Sequence, residues 1–306
     1  MLNVPILTLC VILLSAQAMT AAASPMVTLR NLRAEVEIIP EARADIDVMV
    51  KARGGDMPPT VTTIGDKVTI EGDRQTGRRV YRVSYNLDRQ MDVEAIKRRS
   101  HADRPHDPDL MLITLRTPMK VKVKSNALVF GHVGPSQSVD INDSGDGEWR
   151  VDAVSQDLTV TGGGGAAFFL STSRTASIDL LGTGNVSLGD TDRLYVAHFG
   201  SGDITAGSSA LDADLSISGV GDVSARAVFG RLRVLITDAG NLRVREGELA
   251  KLTVRTIDGV GGVDFGGAVK DLDVDIGTRT QVHVHRVTGA VRKTTRQQAA
   301  LVIDSP

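Results

Sequence analysis

The sequence has one cysteine in 306 residues, Cys10, and it falls inside an apolar run near the N-terminus. Beyond that run the chain has no thiol, which excludes disulfide staples and thiolate metal centres there. Aromatic residues make up 3% of the chain, with Trp149 the single tryptophan. That is too few to fill a core and also line a long sugar-cleaving groove. Neither sign of charge is in excess: 35 Lys and Arg against 37 Asp and Glu leave a net charge of −2. Nothing global draws the protein to nucleic acid or an anionic membrane. The motifs Gly-x-Ser-x-Gly and His-Glu-x-x-His are both absent, which removes the common serine-hydrolase and zincin signatures. The run from Val4 to Leu14 is too short to span a bilayer as a helix. It is followed by Ala16-Gln17-Ala18 and Ala21-Ala22-Ala23, two candidate cleavage triplets. Residues 1–23 therefore read as a secretory signal peptide, although no Lys or Arg precedes the apolar run. The expectation is an exported protein, periplasmic or at the cell surface, with no integral membrane segment after leader removal.

What the chain has in quantity is glycine, 31 residues, set into a repeated phrase. Val196, His198, Gly200, Gly202, Ile204 and Ala206 alternate through one copy; Leu215, Ile217, Gly219, Gly221, Val223 and Ala225 do the same 19 residues later. Alternate residues of a strand share a face, so each copy reads as strand, Gly-x-Gly corner, strand. The first inward position recurs near Val121, Val139, Leu158, Ile178, Val196, Leu215, Val234, Val254 and Val274, in steps of 18 to 20 residues. The copies at Val121 and Val139 are the weakest matches. A fixed period near twenty with short strands is the signature of a solenoid whose coils bury their apolar faces on one another. The spacing predicts an all-β, right-handed β-helix of about nine coils. Corner residues Gly184, Asn185, Gly202, Asp203, Gly221, Asp222, Gly240 and Asn241 fall at equivalent places. Glycine suits positive φ at such corners, and Asn or Asp suits bonding to its own backbone. Stacking should align the Asn and Asp into a ladder.

Four segments follow: the leader, 1–23; an irregular N-terminal β cap with a charged insertion, 24–120; the coils, 121–290; and a closing tail, 291–306. Within the cap, Val27–Leu29, Val36–Ile38, Ile46–Val48 and Val68–Ile70 are candidate strands. The insertion at 73–109 holds a candidate short helix at Val93–Arg99, and Leu110–Leu115 is a strand leading into the first coil.

These features resemble the auto-transporter adhesin head family, also called the GIN domain. The carrying residues are Leu194-x-Val196…Gly200-Ser201-Gly202-Asp203-Ile204 and Leu215-Ser216-Ile217-Ser218-Gly219-Val220-Gly221-Asp222-Val223. The resemblance covers roughly 120–290 well and 27–118 loosely. It implies a right-handed β-helix in an exported bacterial protein with no established enzyme chemistry. The charged insertion and the degenerate glycines after Gly240 depart from the pattern, and no translocating β-barrel segment is evident.

Candidate chemistry is sparse. Gly-x-Gly-Asp at 200–203 and 219–222 looks like a calcium β-roll phrase but lacks its nine-residue period. Gly162–Gly165 has no following helix or Lys-Ser/Thr to make a phosphate loop. His101, Asp103, His106, Asp107 and Asp109 have metal-compatible side chains, but two prolines and the flanking charges favour a solvated loop. His283 and His285 alternate outward on one strand without an evident third ligand, and His198 falls at an inward position suited to a hydrogen-bonded core histidine. Arg226, Arg231, Arg233, Arg243, Arg245 and Arg255 lie on three consecutive coils. If they share a face, they form a basic patch for an acidic glycan or another envelope component. The leading expectation is a non-enzymatic scaffold or adhesin-like, glycan-binding module without cofactors. The alternative is a polysaccharide lyase or hydrolase, which requires outward carboxylates clustered beside aromatics.

Overall fold

The computed structural model describes residues 25–52, 57–73, 110–256, 260–277, 279–296 and 299–305. The insertion's candidate helix and the His101–Asp109 group lie outside them. Among the described residues there is no helix, and a parallel β-solenoid of about nine turns runs through 120–303.

Each coil contributes two strands, and the strands stack into two parallel columns. Column A stacks β5 (Lys67–Glu71), β1 (Met26–Arg30), β7 (Lys120–Ser125), β9 (Ser138–Asp143), β11 (Val154–Gly162), β13 (Ser173–Leu180) and β15 (Thr191–His198). It continues through the second half of β16 (Ile204–Ile217), β18 (Gly230–Ile236), β20 (Glu248–Thr256), the second half of β21 (Val263–Ile276) and β23 (Val291–Thr295). Column B stacks β6 (Met111–Pro118), β2 (Arg33–Glu41), β8 (Leu128–Val133), β10 (Asp146–Val151), β12 (Ala167–Leu170) and β14 (Val186–Leu188). It continues through the first half of β16, β17 (Val223–Val228), β19 (Leu242–Glu246), the first half of β21, β22 (Gln281–Val287) and β24 (Ala300–Ser305). Residues such as Leu232, Val234 and Ile236 are buried at every second position, and the inward residues of both columns merge into one core that runs the length of the stack.

Two expectations about the corners need correction. None of Gly182, Gly184, Gly200, Gly202, Gly219, Gly221 or Gly240 has positive φ; among the described glycines only Gly65, Gly147, Gly230 and Gly247 do. The corner glycines are required by close approach instead. A Cβ on Gly182, Gly200 or Gly219 would overlap the carbonyl oxygen of the glycine one coil earlier, Gly164, Gly182 and Gly200 respectively. The Asn and Asp ladder is present, but it bonds between coils and not within its own turn. Asn185 Oδ1 accepts the Asp203 N–H at 2.7 Å, Asp203 Oδ1 accepts the Asp222 N–H at 2.9 Å, and Asp222 Oδ1 accepts the Asn241 N–H at 3.2 Å. Asn241 Oδ1 then accepts the Gly262 N–H at 2.9 Å. Each side chain satisfies a backbone donor that the corner leaves without a strand partner.

The described residues between 25 and 120 include two regular coils. β1 and β2 form a coil, and β5 and β6 form another, all in parallel register. Their spatial order is not their sequence order. The β5–β6 coil lies outside the β1–β2 coil, which is sandwiched between it and β7–β8. The two weak repeats, at Val121 and Val139, pair residue for residue over six positions. Beyond the outermost coil the stacking direction reverses: β3 (Asp47–Lys51) pairs antiparallel with β6, and β4 (Thr60–Ile64) pairs antiparallel with β5. These reversed strands cover edges that would otherwise be open. At the other end, β23 and β24 in the tail continue both columns and add a last coil.

Candidate functional site

The six arginines do not share one face. Arg231, Arg233 and Arg255 stand on column A, whereas Arg226, Arg243 and Arg245 stand on column B. Five of them pair with carboxylates on other coils: Arg231 with Asp212 at 2.8 Å, Arg233 with Asp214 at 2.9 Å, Arg226 with Asp190 at 2.9 Å, Arg243 with Asp264 at 3.3 Å and Arg255 with Asp273 at 3.2 Å. Asp212 and Asp214 sit directly opposite Arg231 and Arg233 in the ladder. Opposite charges across strands favour this register modestly, and the pairing leaves no concentrated positive field for a polyanion.

The remaining candidates resolve in the same structural direction. His198 is fully buried, and its Nε2 donates to the Gly202 carbonyl at 2.6 Å, as a core histidine should. His283 and His285 point outward, where Asp264 and Asp304 meet them. Among the described residues no group of three His, Cys, Asp or Glu side chains is arranged to hold a metal ion.

One feature that the repeat did not announce lies on the outer side of column B, where β2, β8 and β10 adjoin. Register places Glu35, Phe130 and Glu148 in one row and Glu37, His132 and Arg150 in the next. His132 Nδ1 is 2.9 Å from Glu37 Oε1, and its Nε2 is 3.3 Å from Asp152 Oδ2. The two carboxylates, Asp152 first, lift the imidazole to about 9 against the opposing effect of burial. Glu148 is 2% exposed and bonds Arg150 Nε at 2.6 Å, and the Arg150 guanidinium lies 5.4 Å from the Phe169 ring centroid. Glu37 and His132 are 95 residues apart in sequence. Nothing in the sequence brings them together without the out-of-order stacking of β2 on β8.

The second feature is a gutter along the glycine corner. Its floor is Gly182, Gly200 and Gly219 on three successive coils. Leu181, Phe199 and Ser218 form one wall, and Thr183, Ser201 and Val220 form the other. Asp238 takes the floor position of the following coil and stands at the end. The groove is open along its length and holds about 330 Å³. Leu181, Phe199 and Val220 are 53%, 52% and 60% exposed. Because a Cβ on Gly182, Gly200 or Gly219 would overlap the coil before it, the gutter is a by-product of the repeat, and the sequence marks its walls as the residues on either side of these glycines. Apolar side chains there face solvent beside three hydroxyls, in the size range of small ligand sites.

Among the described residues no helix is long and apolar enough to cross a membrane. No family model and no curated protein matches the chain.

Proposed function

We propose that this protein is a non-enzymatic binding module of the cell envelope that holds a saccharide polymer along the glycine gutter. The observation that carries the reading is the juxtaposition of the exposed Phe199 ring with Ser201, Thr183 and Ser218 over a floor of bare backbone. A sugar ring is apolar on its C–H faces and polar at its rim. It matches a surface that offers an aromatic plane and hydroxyls side by side. The groove continues past Phe199 over the neighbouring coils, about 4.8 Å apart, with Leu181 on one side and Ser218 on the other, a length that suits an extended chain better than an isolated small molecule. The consumption of outward charge in pairs supports a neutral ligand over the acidic glycan that the arginines alone would suggest. The apolar run Val4–Leu14 with its alanine triplets, and the resemblance to exported adhesin-like heads, support placement outside the cytoplasm.

The test is co-sedimentation of residues 24–306 with insoluble chitin, cellulose and peptidoglycan, alongside Phe199→Ala. Saturable binding that weakens about tenfold in the variant, equivalent to about 1.4 kcal/mol, supports the gutter. Binding that is indifferent to Phe199→Ala moves the site elsewhere, and no binding to any polymer rejects the saccharide reading. A separate fractionation of cells expressing the full chain tests export.

A second reading has one observation in its favour. Glu35, Glu37, Glu148 and Asp152 gather beside Phe130 and Phe169, the combination of acids and aromatics that glycan cleavage uses. Release of reducing ends by the wild type, abolished in Glu37→Gln, would favour an enzyme.

A further inference from the structure

The last coil is held differently from the others. β24 pairs with β22 on one side, and no described strand pairs with its other side. Leu301 and Ile303 pack on the core but stay partly exposed. On the outer face, a line of side chains ties this strand back across four coils. Arg243 pairs with Asp264 at 3.3 Å, and Asp264 Oδ1 is 2.9 Å from His283 Nδ1. His283 Nε2 is 2.9 Å from Asp304 Oδ1, and Asp304 Oδ2 is 3.2 Å from His285 Nδ1.

The chemistry of His283 is unusual in this row. Both of its ring nitrogens face carboxylate oxygens, which at neutral pH can only accept. A neutral imidazole has one donor and one acceptor, so only the imidazolium satisfies both contacts. The arginine ties between coils keep their proton at any accessible pH, whereas the tie made by His283, like that of His132 on the earlier coils, depends on the proton of an imidazole. We propose that His283 is a proton-operated latch on the terminal coil: the imidazolium bridges Asp264 to Asp304 and holds β24 down, and its deprotonation lets that strand lift from β22. The two carboxylates raise the His283 pKa above its ordinary value, Asp304 contributing most, and the histidines hold Asp304 below its own. The groups that face the latch are Asp264 from β21, with Arg243 behind it, Asp304 from β24, and Gln281 and His285 on its own strand. The sign follows from these shifts. Stability from the latch is complete below the ordinary histidine value and falls as pH rises through the raised one. The lowered Asp304 keeps the latch closed into mildly acidic solution. Lifting β24 uncovers Val282 and Val284, both fully buried in the closed form, together with the edge of β22. An open edge of that kind is a template for strand addition.

Hydrogen–deuterium exchange from pH 5.5 to 10, expressed as protection factors, tests the latch in the whole chain. In the wild type, protection of the 300–305 amides should hold below the ordinary histidine range. It should fall about tenfold on the alkaline side, while 230–256 stays unchanged. In His283→Gln the same amides should be weakly protected at all pH values, and in His285→Gln the wild-type profile should persist. Flat wild-type protection up to pH 10, or a wild-type profile in His283→Gln, overturns the proposal. The wild-type histidine NMR titration needs no variant, and a His283 resonance that titrates at or below the ordinary histidine value also overturns it.

Discussion

Gly131 and Trp149 are register partners on adjacent coils, and the indole occupies the space that a side chain at 131 would fill. A Cβ on Gly131 would overlap the six-membered ring of Trp149. The indole is fully buried, and its Nε1 donates to Asp143 Oδ2 at 2.9 Å. Burial pushes the Asp143 carboxyl up in pKa, against the Gly145 N–H and the indole N–H that favour its charged form. Gly131→Ala should therefore destabilise the protein by roughly 1–3 kcal/mol through overpacking. Trp149→Leu in the same chain should relieve that clash. Urea denaturation of the two single variants and the double variant measures the coupling. Additive effects would mean that the two sites do not share one space.

The arginine ladders give a second prediction. Arg233→Glu sets a carboxylate directly opposite Asp214 and should lower stability by roughly 0.5–1 kcal/mol. Asp214→Arg in the same chain restores an opposite pair and should recover most of the loss. Both positions are well exposed, so added salt should shrink the difference. An unchanged urea midpoint in Arg233→Glu would show that the pair does not contribute to stability.

The His132 cluster predicts a pH dependence. Its pKa is raised to about 9 by Asp152 and Glu37. The stability it contributes is complete below about pH 6.5 and is lost as pH rises through about 9. Denaturation midpoints measured at pH 6, 8 and 10 should decline for the wild type and flatten for His132→Gln. A variant with the wild-type slope would assign the decline to other groups.

The free end of the stack gives the last prediction. Lys293 pairs in register with Val274, which is 1% exposed, so a lysine stands where each earlier coil places an apolar residue. Charge at an inward position of an edge strand deters pairing with another copy. Lys293→Val should raise the fraction of dimers and larger species in sedimentation velocity without lowering the denaturation midpoint. Persistence of a single species at high protein concentration would show that the lysine is not what keeps the edge unpaired.

The solenoid was legible because its physics is periodic. Val196, Leu215 and Val234 recur at a fixed step, and their register in β15, β16 and β18 follows that step. The glycines were legible as corners, but the sequence could not show why they are glycine. Conformational freedom and steric exclusion leave the same residue in place, and only the carbonyl of Gly182 beneath Gly200 tells them apart. The N-terminal coils were legible as strands and illegible as an order, because Glu37 meets His132 through a stacking that no local pattern encodes. The arginine patch was only partly legible. Alternation gives the direction of a side chain, inward or outward, but not which column it stands on. The step of 19 residues does place Asp212 and Asp214 one coil before Arg231 and Arg233, and the register follows it.

The placement of β1 has a consequence for how the rod is moored. Met26 opens a strand with β5 on one side and β7 on the other, so the polypeptide enters the stack through its flank, one coil in from the covered tip. An anchor, fusion or tether joined ahead of this residue would hold the rod by its side close to that tip, and would leave the opposite end, the coil of β23 and β24, the farthest from the attachment.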